Sequence, residues 1–522
     1  MMKAILSSYL YVPVSVAGDV RALKQRLTFT PRRFGRRDTK VREPIPMFDE
    51  RSHPGYIGVP REWGLDAFPD VEIEDRRSFG SPISVPRLPS PDHPAVLDPE
   101  AQRKFMDDLL AMLEQYQSGG AHAATGSGKT VVTLRTAAKL GRTTLIIVHL
   151  ERLMNQWVKE IHEKLGVPMD RIGIVQGEKC QFEGKDFVVA MVPSLCSRRY
   201  EDAFYRHFGL VVYDEEHKMG TAEFNRSVVM FPSVYRLALS ATWSRKDGGH
   251  VIFEHHVGPV RVESTAEALP MDVFVVDYHA GKPVRANSHS VLALLLAKDN
   301  RRNEMLARQL LVAYQRGRTM LAVSDRTEQL QMVRNRVIAL GVPEDETGLF
   351  VSQKYVLVDD PTAKGGKRKS KSKIDPAELA RVQSKGRLIF ATYGMMTEGI
   401  DIPRLDGGMD LTPRGQATQL VGRIRRPLPG KRRPLWMTIR DTCSSMALGY
   451  FKARLKDYLS TNVEVVYGNE RSRNEEGPVL GQGAQRAPSP AVSERPGVSP
   501  RGFAARASDA VRVASRRRTG SA

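Results

Sequence analysis

"AHAATGSGKTVVTLRTAAKLG", residues 121–141, is the stretch whose reading decides the fold. It joins a short apolar segment to a glycine-rich turn and then to an amphipathic run that Gly141 is placed to stop. Backbone N–H groups at the start of such a helix point outward, and small residues let phosphates approach them closely. The general phosphate-loop pattern is G-x-x-x-x-G-K-[ST], and counting back from Gly128-Lys129-Thr130 lands on Ala123, not on a glycine. In this reading Thr125, Gly126, Ser127 and Gly128 form the cradle, Lys129 reaches the β- and γ-phosphates of ATP, and Thr130 is a ligand of Mg2+. The strand expected to lead in, residues 120–124, is short and weak.

A second half-site follows. "LVVYDEEH", residues 210–217, runs an apolar strand straight into acids. Nucleotide hydrolases with such loops hold their Mg2+ at the C-terminal end of a strand. Asp214 would hold the metal through its water shell, and Glu215 would orient and deprotonate the attacking water.

Between and beyond these half-sites, apolar strands alternate with helical patterns. Leu145–Val148, Asp186–Val192 and Leu210–Asp214 read as buried parallel strands, as do Thr319–Ser324 and Arg387–Thr392 further on. Two such stretches predict an α/β protein with two parallel-sheet domains, residues 91–265 and 266–468. Residues 1–90 mix short apolar runs with prolines and arginines and are set apart as a small accessory domain. Residues 469–522 are rich in Pro, Ser, Gly and Arg and read as a disordered basic tail. The segment "KGGKRKSKSK", Lys364–Lys373, reads as a solvated loop inserted in the second domain or as a flexible nucleic-acid contact.

The chain of 522 residues carries a formal net charge of +20. From Arg471 onward ten arginines face four carboxylates, a balance of +6, so +14 resides elsewhere. A polyanionic partner, nucleic acid first, fits that distribution. Cys180, Cys196 and Cys443 have no metal-ligand spacing and are too few for a disulfide framework, which fits a reducing cytosol. No apolar run is long enough to span a membrane. The N-terminal run is broken by Ser7, Ser8 and Pro13, which argues against an export signal.

Asp214, Glu215, Glu216 and His217 resemble motif II of the superfamily-two helicases, the DEAD/DEAH class. In that class the phosphate loop commonly reads A-x-x-G-x-G-K-T, and Ala123, Gly126, Gly128, Lys129 and Thr130 match it without a gap. Other motifs fall in order. "LIIVHLERLMNQW" (145–157) resembles motif Ia, "SAT" (240–242) motif III, "LAVSDRTEQL" (321–330) motif IV, "ATYGMMTEGIDIP" (391–403) motif V, and "QLVGRIRR" (419–426) motif VI. Arg245-Lys246-Asp247-Gly248 is similar to the branch of XPB and the phage helicase UvsW, and "LKQRLTFTPRR" with "GYIGVPREWG" is similar to the N-terminal domain of phage helicases of that branch.

The resemblance implies two tandem RecA-like domains whose cleft completes an ATPase site when they close. It assigns Arg423 and Arg426 to stabilising the transferring phosphoryl group, Gly399 and Asp401 to lining the nucleotide cleft, and Gln102 to reading adenine, although the usual aromatic before it is Ala101. His217, Ser240, Ala241, Thr242 and Gln419 would couple hydrolysis to the nucleic-acid track. Ser194, Arg245, Arg326 and Thr392 would contact DNA phosphates, and residues 1–90 would help grip DNA. The expected activity is that of an ATP-dependent DNA helicase or branch-migration motor on single-stranded, duplex or branched DNA. It would be phage-encoded, act in the host cytoplasm, and work beside recombination, repair or replication proteins. A duplex translocase, an RNA helicase and a binding clamp with a degenerate ATPase stand as alternatives. Trp243 after motif III, Pro193 before Ser194, and Asp410 in an expected apolar strand depart from the pattern.

Overall fold

Strand Thr144–Val148 is apolar after its first residue and strand Leu210–Asp214 up to its last, so both faces of the sheet they form must be covered. Ile146 and Val148 enter one core layer and Leu145 and Ile147 the other. Side chains alternate across a strand, so a single apolar run supplies both layers of a helix–sheet–helix sandwich. The computed structural model describes residues 2–31, 43–88, 99–123, 128–214, 222–240, 248–265, 269–351, 353–359, 367–397, 402–415, 418–426, 428, 430–459, 463–467 and 485–486.

The first parallel sheet comprises β1 (Ser118–His122), β2 (Thr144–Val148), β3 (Ile172–Gln176), β4 (Phe187–Met191), β5 (Leu210–Asp214), β6 (Tyr235–Ser240) and β7 (Val260–Glu263). Its order is β3-β4-β2-β5-β6-β1-β7, with the short strand Lys179–Cys180 antiparallel outside β3. The second comprises β8 (Met271–Tyr278), β9 (Met320–Ser324), β10 (Thr347–Phe350), β11 (Leu388–Thr392), β12 (Gly407–Asp410), β13 (Leu435–Asp441) and β14 (Val463–Tyr467). Its order is β10-β11-β9-β12-β13-β8-β14. Counted from its own first strand, each sheet reads 3-4-2-5-6-1-7. The chain is a doubled α/β fold of two RecA-like domains, and β5 and β12 occupy equivalent places.

The lead-in strand expected at residues 120–124 begins earlier, at Ser118, and pairs on both sides, with β6 and with β7. Its low strand propensity is overridden by that double pairing. Gly119 is required here for another reason: a Cβ would lie 2.6 Å from Met112 Sδ of α1 (Pro99–Tyr116), so the glycine lets that helix lie close.

A four-stranded sheet built from Tyr56–Pro60, Tyr9–Pro13, Ala4–Leu6 and Ile73–Asp75 stands before the first parallel sheet. The N-terminal apolar run supplies its inner strands, with Leu6, Leu10 and Val12 in its core. This sheet is riveted to the first RecA-like domain. Arg61 is fully buried and donates to the carbonyls of Ser233 (2.7 Å) and Val234 (3.3 Å). In return Arg236, at the foot of β6, donates to the carbonyl of Ser8 at 2.9 Å. Residues 76–88 then strap along the first domain through bonds such as Val234 N–H to Ser78 and Thr143 N–H to Ser81.

Lys364–Lys373 differs from the expected loop. Lys367–Lys373 is a strand, paired antiparallel with Gln353–Asp359 in a two-stranded ribbon between β10 and β11. Alternation of Lys and Ser is compatible with the two-residue period of a strand, and a partner segment with Tyr355, Val356, Leu357 and Val358 supplies strand-forming residues that the lysine-rich half lacks. The tail at 469–522 lies outside the described residues apart from Gln485–Arg486, a short strand beside β14.

Candidate active site

Register brings the sequence motifs to one edge. Ser240 pairs with His122, and Asp214 with Leu239, so the C-terminal ends of β5, β6 and β1 are adjacent. The Ala123 N–H donates to the Ser240 carbonyl at 3.1 Å, which fixes where the phosphate-loop segment leaves the sheet. Helix α2 (Lys129–Leu140) starts at the far side of that loop, with Gly128 as its N-cap in the left-handed region at φ 79°. Lys129 and Thr130 therefore occupy the first turn of a helix whose dipole favours anions at this end.

Gln102 of α1 reaches the same place. A Cβ at Gly128 would sit 2.2 Å from Gln102 Nε2, so the two residues interlock. Gln102 is 6% exposed, and its Oε1 finds no hydrogen-bond partner among the described residues. A buried amide oxygen can accept a hydrogen bond from an N–H donor.

Asp214 ends β5 half-buried, and Trp157 Nε1 donates to its Oδ2 at 2.8 Å. Trp157 lies on α3 (Glu151–Leu165), whose strong amphipathic pattern buries Leu153, Met154, Trp157 and Ile161 together. The indole fixes one oxygen of the carboxylate and leaves the orientation of the other defined. The residues fit a Mg2+ ion in the manner that ion prefers: one hydroxyl, one carboxylate, and substrate oxygens with water for the rest. No group of three or more His, Cys, Asp or Glu that could hold a metal ion lies among the described residues.

The equivalent strand end in the second domain has another environment. Asp410 is 1% exposed and accepts from Trp436 Nε1 (3.2 Å), Thr438 Oγ1 (3.2 Å) and Tyr393 OH (3.3 Å), with Arg454 at 3.4 Å. Burial pushes its carboxyl above the ordinary range, against the pull of Arg454 and of those three donors. Gly407 and Gly408 make room: a Cβ at Gly408 would meet the Trp436 ring at 2.1 Å. The acid that departs from the apolar pattern is thus the hub of a buried network.

Motif VI residues lie on α5 (Thr418–Ile424) and just after it. Arg423 is buried and Arg426 half-buried. Arg425, which the sequence did not single out, clasps the segment between the domains: its Nε donates to the Leu269 carbonyl at 2.7 Å, and the Leu269 N–H donates back to its carbonyl at 3.3 Å. Arg152, the second residue of α3, crosses to the second domain and donates to the Met395 carbonyl at 3.3 Å. Motif Ia thereby touches the helix Tyr393–Thr397 of motif V directly.

The remaining candidates are placed as follows. Arg326 caps α4 (Thr327–Ala339) and donates to the Ser290 carbonyl at 2.6 Å. Ser324 and Thr392 pair across β9 and β11, so Arg326 and Thr392 share the C-terminal edge of the second sheet. Ser194 is buried, and its hydroxyl accepts from the Gly177 N–H at 2.9 Å, so that oxygen is engaged within the protein. Ser240 is buried at the end of β6. Thr125, Gly126, Ser127, Glu215, His217, Ala241, Thr242, Arg245, Gly399 and Asp401 lie outside the described residues, as does the side chain of Gln419. Trp157, Arg152 and Arg425 are the contributors that sequence reasoning missed. The Q-W ending of motif Ia was the one available signal, for Trp157; the other two act through backbone carbonyls that leave no pattern.

The chain is similar to several known proteins. Residues 97–245 match the family model of the type III restriction enzyme res subunit. A protein of Acanthamoeba polyphaga mimivirus named "Putative ATP-dependent RNA helicase L396" is 26% identical over 440 residues, 81% of this chain and 78% of that one. The "DNA 3'-5' translocase XPB2" of Sulfurisphaera tokodaii is 28% identical over 176 residues, 34% of this chain and 38% of its own. Among solved structures, S. cerevisiae Dbp5 bound to RNA and ADP BeF3 is 11% identical with a TM-score of 0.48, covering 77% of this chain and 92% of that one. No described helix is long and apolar enough to cross a membrane. With seven motifs in order, two sheets of one strand order, and relatives named as helicases and translocases, the chain is similar to the superfamily-two helicases.

Proposed function

We propose that the chain is an ATP-driven motor that translocates along DNA and separates or remodels its strands, in recombination, repair or replication of a phage genome. The observation that carries this reading is the meeting of Lys129, Thr130 and Trp157-held Asp214 at the edge of one RecA-like sheet, in a chain whose other sheet carries Arg423 and Arg426. Lys129 would neutralise the β- and γ-phosphates, Thr130 and Asp214 would hold Mg2+, and Gln102 would accept from adenine. Mg2+, when bound, offsets charge on the phosphates. Glu215 would take a proton from the water that attacks the γ-phosphorus as the bond to the leaving ADP oxygen breaks. Arg423 and Arg426 would stabilise charge on the equatorial oxygens, which requires the two domains to close. Closure and reopening change the spacing of phosphate contacts on the two domains, and Arg326 and Thr392 are candidates on the second.

An RNA substrate is the second reading, favoured by the printed name of the mimivirus relative. Hydrolysis assays with single-stranded DNA, duplex DNA, a four-way junction and RNA separate the two. Stimulation by DNA above RNA is expected. Lys129→Ala should abolish the stimulated hydrolysis and leave nucleic-acid binding near normal. Hydrolysis that survives this substitution would overturn the site assignment, and stimulation by RNA alone would overturn the DNA reading.

A further inference from the structure

Arg414 belongs to none of the helicase motifs, yet its side chain touches two of them. It lies four residues before α5, the helix of motif VI. Its Nε donates to both carboxylate oxygens of Asp325, at 3.0 and 3.2 Å, and its Nη2 donates to Oδ1. Asp325 stands in motif IV, between Ser324 at the end of β9 and Arg326 at the cap of α4. The same guanidinium lies 4.3 Å from the centre of the Tyr393 ring, the first residue of the motif V helix. Gripping a carboxylate with two nitrogens while lying over an aromatic face asks for the planar fork of arginine rather than the point charge of lysine.

Both ends of this contact are braced. The Asp325 N–H donates to Thr412 Oγ1 at 2.9 Å, and that hydroxyl donates back to Asp325 Oδ2 at 3.3 Å. Tyr393 OH donates to the Thr412 carbonyl at 2.8 Å. Nε2 of His289, on the helix His289–Ala297, donates to the Pro413 carbonyl at 3.0 Å and lies 3.5 Å from Asp325 Oδ2. Arg454, held by Asp410, donates to the carbonyl of Arg414 itself. Across the pair, the Arg326 N–H donates to Ser324 Oγ at 3.0 Å, and that hydroxyl donates to Gln329 Oε1 at 2.7 Å. The Asp325 side chain is 15% exposed, so the pair is stronger than one on an open surface.

We propose that Asp325 and Arg414 are a positioning pair: they hold motif IV, the motif V helix and the approach to motif VI in one frame, so that nucleic acid bound at Arg326 promotes hydrolysis through Arg423. The inference rests on the nucleic-acid-motor reading and supplies the link between that motor's two sites. Neither residue touches substrate in this role. Phosphates drawn to Arg326 displace the residue next to Asp325, and the Asp325–Arg414 bonds pass the displacement to the chain that leads to α5. Without the pair the two edges shift separately. Nucleic acid and ATP each still bind, but one no longer accelerates hydrolysis of the other.

The test uses the full chain, with oligo-dT and oligo-rU as probes. It reads hydrolysis with and without oligonucleotide, the KM for ATP, and oligonucleotide affinity. D325N and R414Q should each lower the stimulated kcat roughly tenfold, while the KM for ATP and the oligonucleotide Kd stay within about threefold. D325N/R414Q should lose no more than the worse single variant, because residues that act as a unit are not additive. R414K keeps the charge without the fork and should fall between the native chain and R414Q; it serves if the uncharged variants fold poorly. R440Q breaks a bidentate pair of the same kind, Arg440 with Asp277 on strands β13 and β8, outside the motifs, and should leave stimulation unchanged. Losses that multiply in the double variant, an equal loss in R440Q, an equal fall in hydrolysis without oligonucleotide, or a loss in Kd instead of kcat would overturn the pair. A native chain stimulated by neither probe would instead overturn the motor reading on which the pair rests.

Discussion

Trp157 donates its indole N–H to Asp214 at 2.8 Å, across 57 residues of sequence and from the helix of one motif to the strand end of another. Partners of this kind hold a metal-binding carboxylate in one orientation, and losing them typically costs 10- to 100-fold in metal affinity or activity. Trp157→Phe keeps the ring and removes the donor. Stimulated hydrolysis should fall by at least tenfold at limiting Mg2+ and recover in part at high Mg2+. A Mg2+ titration of the hydrolysis rate checks this; a uniform loss at all concentrations would make the tryptophan a packing residue only.

Gly128 has two reasons to be glycine. Its φ of 79° costs an ordinary residue roughly 1–2 kcal/mol, and a Cβ would collide with Gln102. Gly128→Ala should raise the KM for ATP tenfold or more. Adding Gln102→Ala removes the collision but leaves the backbone strain and also removes the proposed adenine contact, so the double variant should recover only partly. Full recovery would assign the whole effect to Gln102.

Arg61 ties the N-terminal sheet to the first RecA-like domain by two charged hydrogen bonds to backbone carbonyls. Such bonds contribute roughly 1.5–3 kcal/mol each, and their loss orphans buried acceptors. Arg61→Met should lower stability by about 3 kcal/mol, read in a denaturant melt. For the same reason deletion of residues 1–75 should yield an unstable motor, not one impaired in DNA grip alone.

His256 marks the same junction. It is fully buried, its ring meets Tyr9 edge-on at 5.6 Å, and neither ring nitrogen has a hydrogen-bond partner among the described residues. Burial first, then Arg236, His255 and Arg61, hold it well below its ordinary pKa of 6.5. The unfolded chain therefore binds the proton that the folded chain refuses. Stability from this residue is present above pH 6.5 and is lost as pH falls below it, with a slope of up to about 1.4 kcal/mol per pH unit. His256→Phe should flatten that acid limb in melts between pH 7 and 5, and an unchanged limb would place its origin elsewhere.

Much of this was legible before any coordinates. Leu145–Val148 and Leu210–Asp214 declare themselves because a doubly covered strand must be apolar throughout. Gly141 ends α2 in the left-handed conformation, as its position after the amphipathic run implied. The weak strand at Ser118–His122 was not legible in extent, because its neighbours, not its side chains, hold it extended. The same holds for the lysine-rich half of the ribbon, whose partner strand lies beyond a gap of seven residues. Asp410 looked like an error in an apolar strand because its partners, Trp436, Thr438 and Arg454, come from distant sequence. Arg425 and Arg152 address carbonyl oxygens, which every residue has, so no residue type foretells them.

The exchange of Arg61 and Arg236 across the N-terminal junction has a mechanical meaning. A lever needs one stiff arm, and these crossed guanidinium rivets make the N-terminal sheet and the first RecA-like domain one arm. In the motor proposed above, the stroke would have its fulcrum near Leu269, where Arg425 grips the connecting segment. Whatever the N-terminal sheet holds would then travel the full arc with the first domain, and the size of that combined body would set the reach of each proposed step.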